Sequence, residues 1–126
     1  MQPKSKLCPS GLSQKLSPML LEDQHIVGGE IVAQGKVLLQ SDDRLLSTGL
    51  WECSTGEFDW KFSWDEFANV IEGEATVTEE GGRQYTLRAG DTVHFPRGMK
   101  TRWRVIKPLR KLFFIRTPEP LRVETC

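Results

Sequence analysis

Glu66-Phe67-Ala68-Asn69-Val70-Ile71-Glu72-Gly73 and, after sixteen intervening residues, Gly90-Asp91-Thr92-Val93-His94-Phe95-Pro96-Arg97-Gly98-Met99-Lys100-Thr101 are the stretches on which the fold turns. Val93 and Phe95 alternate with Thr92 and His94 until Pro96, which has no N–H for a ladder, ends the strand. Thr101, Trp103 and Val105 alternate with Arg102 and Arg104 in the next one. By this alternation His94 points outward, to a surface or an interface. Glu66 to Ile71 carries apolar groups on both faces, as a strand covered on both sides does, and Leu112-Phe113-Phe114-Ile115 repeats the pattern. A second layer, a partner subunit, is expected to cover the outer faces.

Working outward, Ala75 and Val77, then Glu79-Glu80-Gly81-Gly82, then Tyr85 and Leu87 predict a hairpin, since paired glycines take the positive φ its turn needs. Gly73 and Gly98 are expected where the chain turns sharply between strands, and Gly90 at a tight bend before one. Upstream, Phe58, Trp60 and Phe62 alternate strictly with Glu57, Asp59 and Lys61, so three rings face the interior. Short strands of this kind, separated by glycine, proline and aspartate from about residue 25 onward, predict an all-β sandwich or barrel.

The chain has 126 residues, enough for one core, and all of its Phe, Trp and Tyr residues lie between Trp51 and Phe114. Residues 1–24 read as an N-terminal arm with room for one short helix, Ser17-Pro18 suiting its start; 25–120 read as the barrel and 121–126 as a tail. Seventeen basic and seventeen acidic side chains leave no net charge with which to grip a polyanion, so no nucleic-acid partner is expected. The longest apolar run near the N-terminus, Met19-Leu20-Leu21, is far too short for a membrane span or a signal peptide. Cys8, Cys53 and Cys126 suggest no disulfide framework. A cytoplasmic protein without a membrane partner is expected.

The spacing from Glu66 to Thr101 resembles the two motifs of the cupins, small jelly-roll β-barrels, and is most similar to the ureidoglycine-aminohydrolase-type group. Trp51-Glu52, Phe58-x-Trp60, Asp65-Glu66-Phe67, Val70-Ile71-Glu72-Gly73 and Phe95-Pro96-x-Gly98 carry that likeness, over about residues 30–118. The resemblance implies a cupin fold and a small-molecule site in the barrel, in nitrogen-compound metabolism. In metal-binding cupins two histidines and a glutamate of the first motif and a histidine of the second are ligands. Those positions here are Trp60, Phe62, Glu66 and Thr101. Two histidines in all cannot supply a three-histidine site, and indole and phenyl rings offer no lone pair to a metal, so no cofactor is expected.

What remains is Glu66 facing a barrel lined by aromatic rings. Burial among rings raises a carboxyl pKa unless a cation or a hydrogen-bond donor compensates. Three readings follow: Glu66 is a general acid or base, or carboxylate and rings attract a cationic or amine-bearing ligand, or Glu66 bonds Thr101 or a backbone amide inside a filled barrel. The candidate catalytic residue is therefore Glu66, and the candidate ligand-binding residues are Trp60, Phe62, Thr101, Trp103, Leu112 and Cys53. Cys53 is weighed as a nucleophile against an inert thiol. Arg102, Arg104, Arg110 and Lys111 read as an exposed face paired with acidic neighbours. The functions in view are a metal-free enzyme, a non-catalytic binding or sensing module, and an atypical metal site using Glu66 with Cys53 or the arm. A homodimer is expected from the two-faced strands.

Overall fold

A computed structural model of the chain describes residues 10–11, 15–19 and 24–123. Among them there is no helix, and none that could cross a membrane. The strands are β1 (Ser17–Pro18), β2 (Gln24–Gly28), β3 (Ala33–Gln40), β4 (Leu46–Cys53), β5 (Gly56–Lys61), β6 (Asp65–Glu79), β7 (Gln84–Arg88), β8 (Thr92–Phe95) and β9 (Lys100–Arg116). All pairings are antiparallel and form a single curled sheet. The fold is the all-β cupin jelly roll expected from the spacing.

Two long strands organise it. β9 pairs with β6 along one edge, from Thr101–Glu79 to Arg116–Asp65. Along its other edge β9 pairs first with β5 and then with β4. β6 in turn carries β8 and β7 on its far edge. Rings and aliphatic side chains from β3 to β9 fill the concave side: Trp51, Phe58, Trp60, Phe62, Phe95 and Trp103 are all buried there. Their faces meet in close succession, Phe62 stacking on Trp60 at 4.2 Å and on Phe95 at 4.5 Å, and Phe58 on Trp103 at 5.7 Å. Aromatic contact of this kind adds to the area each ring buries.

Gly73 is a correction. It does not turn the chain between strands; it lies inside β6, at φ +92°, among the register shifts between Val70 and Ala75. The buried positions before it are Glu66, Ala68 and Val70, and those after it are Ala75 and Val77. A bulge that inserts one residue exchanges the two faces of a strand, so β6 keeps its apolar groups inward on both sides of the bend. A Cβ at Gly73 would collide with the carbonyl of Pro108 on β9, which reserves the position for glycine. Gly98, at φ +90°, does sit in a turn between β8 and β9, and Gly81 and Gly82 form the β6–β7 hairpin turn. Ser17–Pro18 is extended and pairs with Gln34 and Gly35, so the helical turn expected to begin there does not; its continuation over 20–23 lies outside the described residues.

Candidate functional site

β6, β8 and β9 carry Glu66 to the interior. Glu66 pairs in register with Phe95 and with Ile115, and its side chain shares the inward face with Ala68 and Val70. β9 brings the residue that meets it. Its buried positions run Thr101, Trp103, Val105, Leu109, Lys111, Phe113 and Ile115, so odd numbers point inward along almost the whole strand. Lys111 is therefore interior, and only 1% exposed. Reading it with Arg102, Arg104 and Arg110 as part of an exposed face is overturned. Those three arginines do lie outward and pair with Asp59, Glu57 and Glu52, across the strands that the register aligns.

Lys111 Nζ donates to Glu66 Oε2 at 2.5 Å. Trp64 Nε1 donates to the other oxygen, Oε1, at 3.4 Å. Above the ammonium stand three indole faces, with ring centroids at 4.5 Å for Trp60, 4.8 Å for Trp51 and 5.3 Å for Trp103. An ammonium removed from water keeps its charge cheaply only where carboxylate and π faces replace the lost hydration. The compensating cation that a carboxylate among rings requires is thus supplied by the chain itself, and Glu66 is not a lone acid. Nor does it bond Thr101, whose hydroxyl donates to the Trp60 carbonyl at 2.8 Å and accepts from Trp103 Nε1 at 2.9 Å.

The pair borders a cavity of about 120 Å³. Its walls are Val37, Trp51, Trp60, Phe113 and Ile115; four half-buried residues, Met19, Trp64, Leu121 and Val123, line it toward solvent. Among the described residues, Glu66 and Lys111 are its only charged lining residues. Of the sequence candidates, Glu66 and Trp60 line this cavity, and Trp103 touches it through the Lys111 ammonium. Phe62 lies behind Trp60, and Thr101 is occupied with Trp60 and Trp103. Leu112 is on the outer face, one residue out of phase with the inward Lys111, and is corrected accordingly. Trp51, Trp64 and Lys111 are the members around Glu66 that sequence reasoning missed. The signal that finds Lys111 is parity, counted forward along β9 from Trp103.

Cys53 is buried and lines a separate shallow depression with Glu72 and Leu109. Burial pushes its thiol from the ordinary 9.0 up to about 12, the charge of Lys111 opposing this only in part. A thiol held protonated is a poor nucleophile. Its raised pKa adds stability that is complete below pH 9 and is lost as pH rises toward about 12. Iodoacetamide at pH 8 is expected to leave Cys53 unmodified for hours in folded protein and to alkylate it once urea unfolds the chain. Rapid labelling of the folded form, followed by peptide mass spectrometry, would return Cys53 to the list of reactive groups.

A metal does not fit the positions that hold one in metallo-cupins. Trp60 and Phe62 are stacked rings, Thr101 is turned to a backbone carbonyl, and Glu66 is already paired with an ammonium. Among the described residues no three His, Cys, Asp or Glu side chains cluster to hold an ion; most of the arm, which the atypical-site reading also invoked, lies outside them.

Solved structures give the relatives. A DUF861 family protein from Thermotoga maritima is 41% identical, over 51% of this chain and 73% of that one, with a TM-score of 0.50. The EutQ protein of Clostridium difficile is 25% identical over 69% of each chain, with a TM-score of 0.62. A protein of unknown function of the DUF861 family from Pseudomonas syringae pv. tomato shares the fold at a TM-score of 0.73, with 23% identity over 82% of this chain and 45% of that one. No curated protein matches the chain. The EutQ-like cupin domain matches residues 40–113, and with more than half of its length inside that match the chain belongs to the EutQ-like cupin family.

Proposed function

We propose that the barrel interior is a small-molecule site of a metal-free cupin, with Glu66 as the group that accepts and returns a proton and Lys111 as its fixed counter-ion. The observation that carries this is the ion pair of 2.5 Å beside a cavity of about 120 Å³. A carboxylate and an ammonium in one largely apolar pocket place a base and an acid within reach of one substrate atom, the arrangement proton transfer needs. The likeness to ureidoglycine-aminohydrolase-type cupins makes nitrogen compounds the first substrate class to examine. A thermal-shift screen of ureido compounds, amides, amines and sugars finds the ligand by mass action. Glu66→Gln is then expected to lower turnover by a factor of about 10²–10⁴, the usual worth of a positioned proton carrier. Turnover unchanged in that variant would end the proton-transfer role.

A binding or sensing module is the second reading. It is favoured by the donors already present on both oxygens of Glu66. Recovery of the ligand unchanged after prolonged incubation would select it.

The outer face supports a homodimer. Leu46, Phe67 and Phe114, each about half exposed, line a groove of about 630 Å³ with His94 stacked on Phe67 at 4.3 Å. Asp65 and Arg116 border the same groove but pair with each other at 3.4 Å, so the exposed apolar side chains are what a second copy would cover.

A further inference from the structure

From the charge balance of the interior we infer that the cavity takes a small uncharged molecule with one hydrogen-bonding end, such as an alcohol or an amide, and rejects amines. This rests on the reading that the cavity is the ligand site, and it names the ligand class. The place that the sequence offered to a cationic ligand, a carboxylate under three indole faces, is filled by the Lys111 ammonium. Both charged side chains are about 2% exposed, and they cancel. A second full charge of either sign would be buried with no further charged group among the described lining residues to neutralise it, at a cost that exceeds what so small a contact area returns.

The polar groups set where the ligand's one polar end lies. Among the described residues Glu66 Oε1 has one long bond, from Trp64 Nε1 at 3.4 Å, and a carboxylate oxygen has room for another donor. Lys111 Nζ has Glu66 as its hydrogen-bond partner among the described residues. An amide N–H or an alcohol O–H therefore donates to Glu66 Oε1. The remaining walls, such as Val37, Phe113 and Ile115, are apolar and call for a short hydrocarbon body. Size is limited too: an apolar cavity of about 150 Å³ holds a benzene-sized molecule, so a ligand here has a handful of heavy atoms. A sugar, polar on every side, would leave most of its hydroxyls without partners.

The test is a set of four-carbon probes matched in size and differing in charge: butyramide, 1-butanol, butyrate and butylammonium, with erythritol as the polyol. Binding to the intact protein is followed by ligand-observed NMR and thermal shift. Butyramide or butanol is expected to bind at least tenfold more tightly than butyrate, butylammonium or erythritol. Lys111→Ala is expected to reverse the order, butylammonium then entering the vacated cage and restoring the melting temperature that the variant loses. If the alanine variant does not fold, the order of the five probes on the wild-type protein decides the inference by itself. Preference of the wild-type protein for either charged probe, or butylammonium binding no better to a folded Lys111→Ala variant, would overturn the inference while leaving the cavity as the ligand site. Binding of none of the probes and of no compound in the wider screen would remove the ligand site itself, and the inference with it.

Discussion

Lys111→Met is expected to destabilise the protein by about 3–5 kcal/mol, because it leaves Glu66 as an uncompensated buried charge. Against a total of about 5–15 kcal/mol for a domain, that loss is large, and it corresponds to a fall in Tm of roughly 10–20 °C for a chain of this size. The geometry supports the upper part of the range: Lys111 and Glu66 are each about 2% exposed, and the three indoles lose the cation that they surround. The double variant Glu66→Leu with Lys111→Met tests the cause. Replacing both members of a buried pair with apolar groups is commonly neutral or stabilising, so the double variant should recover most of what the single one loses. Urea unfolding gives both values, and near-ultraviolet circular dichroism reports whether the tryptophan cluster stays ordered. A cost below about 1 kcal/mol for the single variant would show that the pair is not the interior charge system described here.

Phe67→Glu is expected to convert the proposed dimer to a monomer. Phe67 is 50% exposed on the groove that bears Leu46 and Phe114, so its replacement removes little from the subunit's own core. Across a two-fold axis each substitution counts twice. Losing about 2 kcal/mol per copy, the threshold for an interface hot spot, weakens association by about 10³-fold. The introduced carboxylates also approach Asp65, whose own carboxyl is held below its usual pKa chiefly by the Arg97 backbone N–H and then by His94. Light scattering on wild-type and variant at about 1–100 μM separates the outcomes. A wild-type monomer throughout that range, or a variant as dimeric as the wild type, would remove this face as the contact.

The parts of the fold that alternation governs were legible before any coordinates. Phe58, Trp60 and Phe62 are all inward, and so are Val77, Leu87 and Phe95, because two-residue periodicity maps directly onto the two faces of a sheet. The Glu66-to-Thr101 spacing was enough for the cupin fold. Lys111 was hidden by its type: a lysine beside Arg110, downstream of two outward arginines, looks like surface until its parity is counted. Lys107 and Pro108 obscure that count, since Lys107 occupies an inward number yet is exposed where β9 passes the Gly73 bulge. The bulge itself had no signature beyond one glycine, and what it does, exchange the faces of β6, is visible only against the partner strand. Trp51 could be recognised as core but not as part of a cage, since the cage has no centre until Lys111 is placed in it.

Because β4, β5 and β6 all require β9, the last long strand of the barrel, to pair their open edges, the order in which a ribosome releases the chain matters. For most of synthesis these edges and the tryptophans between them have nothing to close against, and closure waits for residues 100–116 to emerge. Topologies dominated by such distant pairings fold slowly and are exposed to aggregation while they wait. Yield in a cell should therefore depend on chaperone supply during translation more steeply than the melting temperature of the finished protein would suggest.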